Sequence, residues 1–226
     1  MEIISIEQWK EALSKAEQDD KKAQLEIAFI LENGLVIDKK EIVKKDLQSA
    51  FNWIKRAFEN GSKDAKIQYA HYLTDRNNPI GILDVETGMK LYEEEVKEGN
   101  DYAAYCLGLE HRNKQNFEKA FELYKQAQRN EDFYKDFTIG MCLYYGVGVE
   151  KDRLKAFNIF KSISLPNVTG YELDEANYML GKIYLEGEVI EKNIEKARFH
   201  FELADKDNDH SSAQEILLII GRSYRE

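Results

Sequence analysis

Four histidines, two cysteines and 42 carboxylates are the side chains of this 226-residue chain that could hold a metal or move a proton. His71, His111, His200 and His210 include no pair within four residues and no H-E-x-x-H or E-x-x-H. The spacing that sets two imidazoles on one helix face around zinc is therefore missing. Cys106 and Cys142 form no C-x-x-C and are too few for a disulfide framework. Neither G-x-S-x-G nor S-x-x-K occurs, which removes the common serine-nucleophile signatures. Gly146-Val147-Gly148 has Lys at 151 where a dinucleotide fingerprint needs Gly, and the pattern before it is helical rather than a strand. Glu93-Glu94-Glu95 with Glu98, and Asp205, Asp207 and Asp209, read as solvated faces in so acidic a chain. The residues point to no enzyme, no metal and no cofactor.

The elements that carry these residues repeat. A small residue stands before an apolar-small pair at Ala23…Ile27-Ala28, Ala65…Tyr69-Ala70, Ala103…Leu107-Gly108 and Ala176…Leu180-Gly181, with Lys135…Ile139-Gly140 as a variant and Ala213…Leu217-Leu218 as a last member. These starts lie 42, 38, 32, 41 and 37 residues apart. A second pattern alternates with the first: Ala50…Trp53-Ile54, Gly88…Leu91-Tyr92, Ala120…Leu123-Tyr124, Ala156…Ile159-Phe160 and Ala197…His200-Phe201. Ala176, Leu180, Ile183 and Tyr184 fall at i, i+4, i+7 and i+8, one face of a helix. Gly inside a helix costs about 1 kcal/mol relative to Ala. Gly108, Gly140 and Gly181 at one place in the pattern therefore predict close approach by a neighbouring helix. Nothing reads as a sustained strand.

Ala176-Asn-Tyr-Met-Leu180-Gly181-Lys-Ile-Tyr184-Leu-Glu-Gly187, and Gly146-Val147-Gly148-Val149-Glu150-Lys151-Asp152 with Lys155-Ala156, resemble the Sel-one-like repeat, a relative of the tetratricopeptide repeat. The resemblance covers residues 23 to 212. It implies an all-α, right-handed α/α superhelical solenoid of about five helix-pair repeats with N- and C-terminal capping helices. In that division residues 1–22 are the first cap, 23–212 the repeats and 213–226 the closing helix. Three places depart from the pattern: a long first loop (Leu35 to Asp46), a short third one (Arg112 to Asn116) and an insertion at Pro166 to Glu175. Ser5-Ile-Glu-Gln8 reads as a capping box opening a helix with Trp9, Leu13 and Ala16 on one face. In the closing helix the run Ile216 to Ile220 is apolar all round. Either the preceding unit covers it, or it is a patch for self-association or a partner.

In solenoids of this kind the first helix of each pair lines a concave groove, so the resemblance implies where a partner binds. The corresponding places hold Leu25, Phe29 and Glu32, then Ile67, His71 and Thr74, then Tyr102, Tyr105, Leu109 and Arg112. They continue with Tyr134, Phe137, Met141 and Tyr144, then Tyr178, Lys182 and Leu185. The aromatic and apolar members either pack on neighbouring units or anchor a bound protein. Arg112 and Lys182 are expected to hold a ligand carboxylate.

Charge narrows the partner. The net −10 is spread along the chain: 16 bases against 22 acids leave −6 in residues 1–113, and 16 against 20 leave −4 in the rest. Nucleic acid and anionic membranes reward positive charge, so the expected partner is a basic protein. No signal peptide is visible, and no apolar run exceeds five residues, far short of a membrane span. The expected location is the cytoplasm, where Asn167-Val168-Thr169 would not be glycosylated. The expected function is a non-enzymatic protein-interaction module. Its sharper form, implied by the resemblance, is a bacterial immunity protein neutralising a cytoplasmic-acting toxin; the alternative is an adaptor or regulatory scaffold in signalling or envelope assembly. A small-molecule or enzymatic role ranks behind both.

Overall fold

The computed structural model describes residues 5–127, 133–164 and 171–223. The sequon Asn167–Thr169, Pro166, the side chains of Tyr134 and Lys135, and Tyr224 lie outside the described residues. Twelve helices are described: α1 (Ile6–Glu17), α2 (Lys21–Asn33), α3 (Leu47–Glu59), α4 (Lys63–Thr74), α5 (Val85–Lys97), α6 (Asp101–Asn113), α7 (Phe117–Ala127), α8 (Phe133–Tyr145), α9 (Arg153–Ile163), α10 (Tyr171–Glu186), α11 (Ile194–Ala204) and α12 (Ser211–Ser223). They follow one another as α1, five helix pairs from α2–α3 to α10–α11, and α12. Tertiary contacts group the chain into two compact units, Met1–Ala103 and Ala104–Glu226.

Packing explains the small residues of the pattern. The second member of each bulky pair (Ile54, Tyr92, Tyr124, Phe160, Phe201) is at most 1% exposed. Three of these rings lie directly on a glycine of the first helix. A Cβ added to Gly108 would sit 2.6 Å from the Tyr124 ring, one on Gly140 2.6 Å from Phe160, and one on Gly181 2.8 Å from Phe201. Ala28 and Ala70 hold the same place in the first two pairs and are fully buried.

A recurrent clamp closes every pair. The residue just before the second helix (Asp46, Asp84, Asn116, Asp152, Asn193) donates its backbone N–H to a carbonyl in the last turns of the first helix (Leu31, Leu73, His111, Leu143, Tyr184), at 2.8–2.9 Å. All five acceptors stand eight residues beyond the start of the pattern. Four of the donors also cap the second helix through their side chains, accepting from the N–H of Ser49 (3.0 Å), Thr87 (3.1 Å), Lys155 (2.9 Å) and Lys196 (2.8 Å). An Asp or Asn here therefore satisfies orphan helix donors and fixes the hairpin at once.

Because the clamp sits at the base of the connection, the loop above it can vary. In the first pair it holds two short antiparallel strands, β1 (Leu35–Ile37) and β2 (Lys40–Val43), pairing Leu35 with Val43 and Ile37 with Lys40. The sequence pattern predicts no sustained strand and one long loop from Leu35 to Asp46; the loop instead contains these strands of three and four residues. Their turn is Asp38-Lys39, both at positive φ (50° and 64°), a geometry usually signalled by Asn-Gly.

The N-terminal cap behaves as its residues imply. Ser5 Oγ accepts the Gln8 N–H at 3.1 Å, and Trp9 and Leu13 pack with buried Ala12 and Ala16 against Ala23, Ile27 and Ile30. A polar knot that the sequence did not reveal adds to this. Gln24, fully buried, donates to the Ala16 carbonyl and accepts from Asn60, while Asp19 takes Arg56 and Asn60 of the α3 end.

Candidate functional site

The first helices α2, α4, α6, α8 and α10 carry the residues expected to meet a partner. In the unit Met1–Ala103, Leu25 and Ile67 are half-buried, whereas Phe29 is 64% and Tyr102 47% exposed and His71 is exposed. His71 Nε2 lies 2.6 Å from the Tyr102 hydroxyl, with ring centroids 5.8 Å apart. Desolvation pushes the His71 imidazole below its ordinary pKa, against the pull of the Asp75 carboxylate. Thr74 is buried and bonds back to the Ala70 carbonyl, so it belongs to the core. Glu32 is engaged by Tyr72, whose hydroxyl donates to it at 2.5 Å; desolvation, reinforced by that carboxylate, raises the Tyr72 phenol.

In the unit Ala104–Glu226 the same places are more tightly packed. Tyr105, Leu109, Phe137, Met141 and Tyr178 are half-buried against one core cluster. Tyr105 leans on Tyr124 (5.6 Å), Phe137 on Phe160 (5.7 Å), and Tyr178 on Phe201 (5.7 Å) and His210 (4.8 Å). Leu185 is half-buried as well. Tyr144 is 1% exposed and is a core residue, not a groove residue. Its ring is closed in by Arg153 (5.0 Å) and Lys182 (5.6 Å), and its hydroxyl donates to Glu186 at 2.7 Å.

The two cations differ from each other. Lys182 reaches the Tyr145 hydroxyl at 3.3 Å, stands over both tyrosine rings and lies 3.8 Å from Glu186. Its charge is already answered within the chain, which removes it as a ready anchor for a foreign carboxylate. Arg112 is exposed, and its guanidinium makes no ion pair among the described residues. It lies near Tyr124 and Cys142, where its charge opposes the burial that raises both of their pKa values.

The remaining chemistry-bearing residues are structural in these surroundings. Both cysteines are buried, and neither is in a disulfide. His200 Nδ1 lies 2.9 Å from Asn177 Oδ1, and the ring stacks on Tyr184 at 5.5 Å. His210 accepts the Ala213 N–H on Nδ1 at 3.2 Å and so caps α12. The Glu93–Glu98 run is met by α4, with Lys63 on Glu98 (2.6 Å) and Lys66 on Glu94 (2.7 Å) and Glu95 (3.3 Å). Among the described residues no group of three or more His, Cys, Asp or Glu could hold a metal ion. No helix among them is long and apolar enough to cross a membrane.

An open cleft of about 670 Å³ lies beside Arg153, lined by Leu143, Val149, Lys151, Leu154 and Val189. It is built from the connections before α9 and α11, and Arg153 is held across it by Glu188. Its only advance signal was the repeat's Gly-Val loop.

Paired helices, a small residue under each buried ring and an Asp or Asn clamp recur along the chain, and the Sel1 repeat model matches residues 21–62, 101–130, 139–163 and 174–204. The chain belongs to the Sel1 repeat family. The four matched stretches fall on α2–α3, α6–α7, α8–α9 and α10–α11; α4–α5 lies between them with the same clamp, and there Gly88 of α5 sits against Ala70 and Thr74 of α4. The Sel1-repeat-containing protein YjcO of Escherichia coli K12 is 32% identical over 164 residues, 67% of this chain and 68% of that protein.

Two solved Sel1-type structures share the α/α solenoid fold. One is c5321, a protective antigen of uropathogenic E. coli with an SLR fold (TM-score 0.74, 23% identity), which covers 94% of this chain. The match takes in 44% of c5321, so the chain spans less than half the length of that relative. The other is a Sel1 repeat protein of Oxalobacter formigenes (TM-score 0.66, 20% identity, 86% of this chain and 76% of that one).

Proposed function

We propose that this chain is a non-enzymatic scaffold that binds a basic protein through the outward faces of its first helices. Sel1 repeat proteins are protein-interaction modules, and this chain has the repeats. The observation that carries the reading is the exposure of Phe29, His71 and Tyr102 at equivalent or adjoining first-helix places, where a purely solvated face would be polar. Rigid aromatic side chains of this kind tend to carry interface energy. The net −10 supports a basic partner, because a negative field speeds encounter with positive charge. A toxin domain neutralised in the cytoplasm by an immunity protein is the sharpest form of this reading, and an adaptor in signalling or envelope assembly is the broader one.

The test is capture from a lysate of the native organism with wild type beside Phe29→Ala/Tyr102→Glu. Tyr105 and Met141 are left intact, because both pack against the core and a Glu there would unfold the unit. A stoichiometric basic partner held by wild type and lost by a variant of unchanged helicity supports the site. A partner retained by that variant places binding elsewhere on the chain.

A further inference from the structure

Two connections of the unit Ala104–Glu226 run against the charge of the rest of the chain. Residues 112–119 and 146–155 carry six bases (Arg112, Lys114, Lys119, Lys151, Arg153, Lys155) against three acids (Glu118, Glu150, Asp152), a net +3 in a protein of −10. The two stretches touch. Gly148, at φ 69°, lies so close to the Phe117 carbonyl that a Cβ there would overlap it. Glu188, from the connection before α11, lowers the local charge to +2 by pairing with Arg153, whose guanidinium lies over the Tyr144 ring at 5.0 Å. Lys151 and Lys155 are exposed and make no ion pair among the described residues.

The cleft of about 670 Å³ opens among these cations, a volume within the roughly 300–1,000 Å³ of ligand-binding clefts. Its apolar part is buried Leu143 with half-buried Val149 and Val189, and Lys151, Leu154 and Lys155 complete the wall. The start of α9 departs from the other second helices in a way that makes this lining. Just after the clamp residue they have Leu47, Val85, Phe117 and Ile194, and α9 has Arg153; at the next place they have Gln48, Glu86, Glu118 and Glu195, and α9 has Leu154. That leucine is 58% exposed, and Val147 of the same connection is 37% exposed. The clamp and the cap need only Asp152, so they account for neither the exposed leucine nor the two lysines.

We propose that this cleft is a second interaction site, apart from the first-helix faces, that takes an acidic peptide segment of another protein. An aliphatic or aromatic side chain of the segment enters beside Leu154 over Leu143, Val149 and Val189, and flanking carboxylates meet Lys151 and Lys155. Charge decides the occupant, since a basic segment would be set against Lys151, Arg153 and Lys155 together. Nucleic acid would answer the lysines but brings phosphate rather than an apolar group to the cleft, and the −10 field opposes it.

The test applies the full chain, at about 0.15 M salt, to an array of random peptides about ten residues long. The strongest ligands are then labelled with fluorescein and titrated by anisotropy. The expected set is enriched in Asp and Glu together with Leu, Ile or Phe. Lys151→Glu/Lys155→Glu should weaken such a peptide by about tenfold or more. Leu154→Ser should weaken it by about three- to tenfold, and Glu150→Lys should tighten it. All of these side chains are exposed, so helicity should not change. Phe29→Ala/Tyr102→Glu should bind the peptide as wild type does, which separates this site from the first-helix faces. An array without acidic enrichment, or without any ligand, would overturn the proposal. So would a peptide whose affinity the lysine exchange leaves unchanged. An oligothymidine of about ten nucleotides that binds as tightly as the peptide would also overturn it, because phosphate alone would then suffice.

Discussion

Gly181 lacks a side chain because the Phe201 ring occupies the space one would need. Gly181→Ala should gain about 1 kcal/mol of helix propensity but must displace a fully buried ring, a class of change costing about 1–3 kcal/mol. The expected net is a loss of about 1 kcal/mol, read as a lower urea midpoint at unchanged slope. Gly221→Ala is the control: among the described residues no atom beyond its chain neighbours and its own helix backbone lies within 4 Å of the added Cβ, so it should be neutral or stabilising. His200 yields a second residue-scale prediction. Asn177 Nδ2 donates to the Leu173 carbonyl, which leaves Oδ1 to accept from a protonated His200 Nδ1. Desolvation and, after it, Lys196 hold this imidazole below its ordinary pKa. The unfolded chain therefore binds the proton more readily. Stability from this group is complete above the ordinary histidine pKa, about 6.5, and is lost as pH falls from there through the depressed folded value. Lys196→Gln should move the His200 midpoint upward in an NMR titration; an unmoved midpoint would leave burial as the sole cause.

At the scale of elements, the clamp rather than the loop defines each pair. Asn193 donates to the Tyr184 carbonyl and caps α11 through Lys196 N–H. Asn193→Ala keeps the first bond and loses the second, so it should cost about 1 kcal/mol, while Asn193→Asp should be near neutral. Chemical denaturation of the two variants side by side checks this, and an equal loss in both would show that the cap carries no weight. The helical pattern, the Ser5 cap of α1 and the glycine contacts were legible because each depends on spacing within one or two helices. The β1–β2 hairpin was not, because Asp38-Lys39 reaches its turn without the residues that usually announce one. The Gln24–Asp19–Arg56–Asn60 knot was hidden for another reason. Its members are far apart in sequence and of types found on any surface.

For the molecule as a whole, the proposed basic partner makes charge the quantity to vary. If a basic protein is the partner, its association rate should fall by about tenfold or more between low salt and about 0.3 M, with a much smaller change in dissociation rate. Stopped-flow mixing at three ionic strengths would show it, and a rate indifferent to salt would count against a basic partner. The candidate site was legible in part. Helical register placed Phe29, His71 and Tyr102 on the first helices, and they are exposed. The same register placed Tyr144 and Lys182 there too. Only the arrangement of α8, α9 and α10 shows that Tyr144 is enclosed by Arg153, Lys182 and Glu186, and that Lys182 is already matched.

The amino-acid order alone determined that the chain is a series of helix pairs, where each pair begins, and which small residues lie under a ring. These are periodic properties, and a helix turns its faces by a constant angle per residue whatever surrounds it. The tertiary structure decided how much of each first-helix face is left uncovered, which cations are already neutralised, and that Leu218 and Ile219 end up outside. Exposure depends on what the neighbouring helix and its loop bring to the contact. Those neighbours stand thirty to forty residues away in sequence, with connections whose lengths the clamp leaves free to vary.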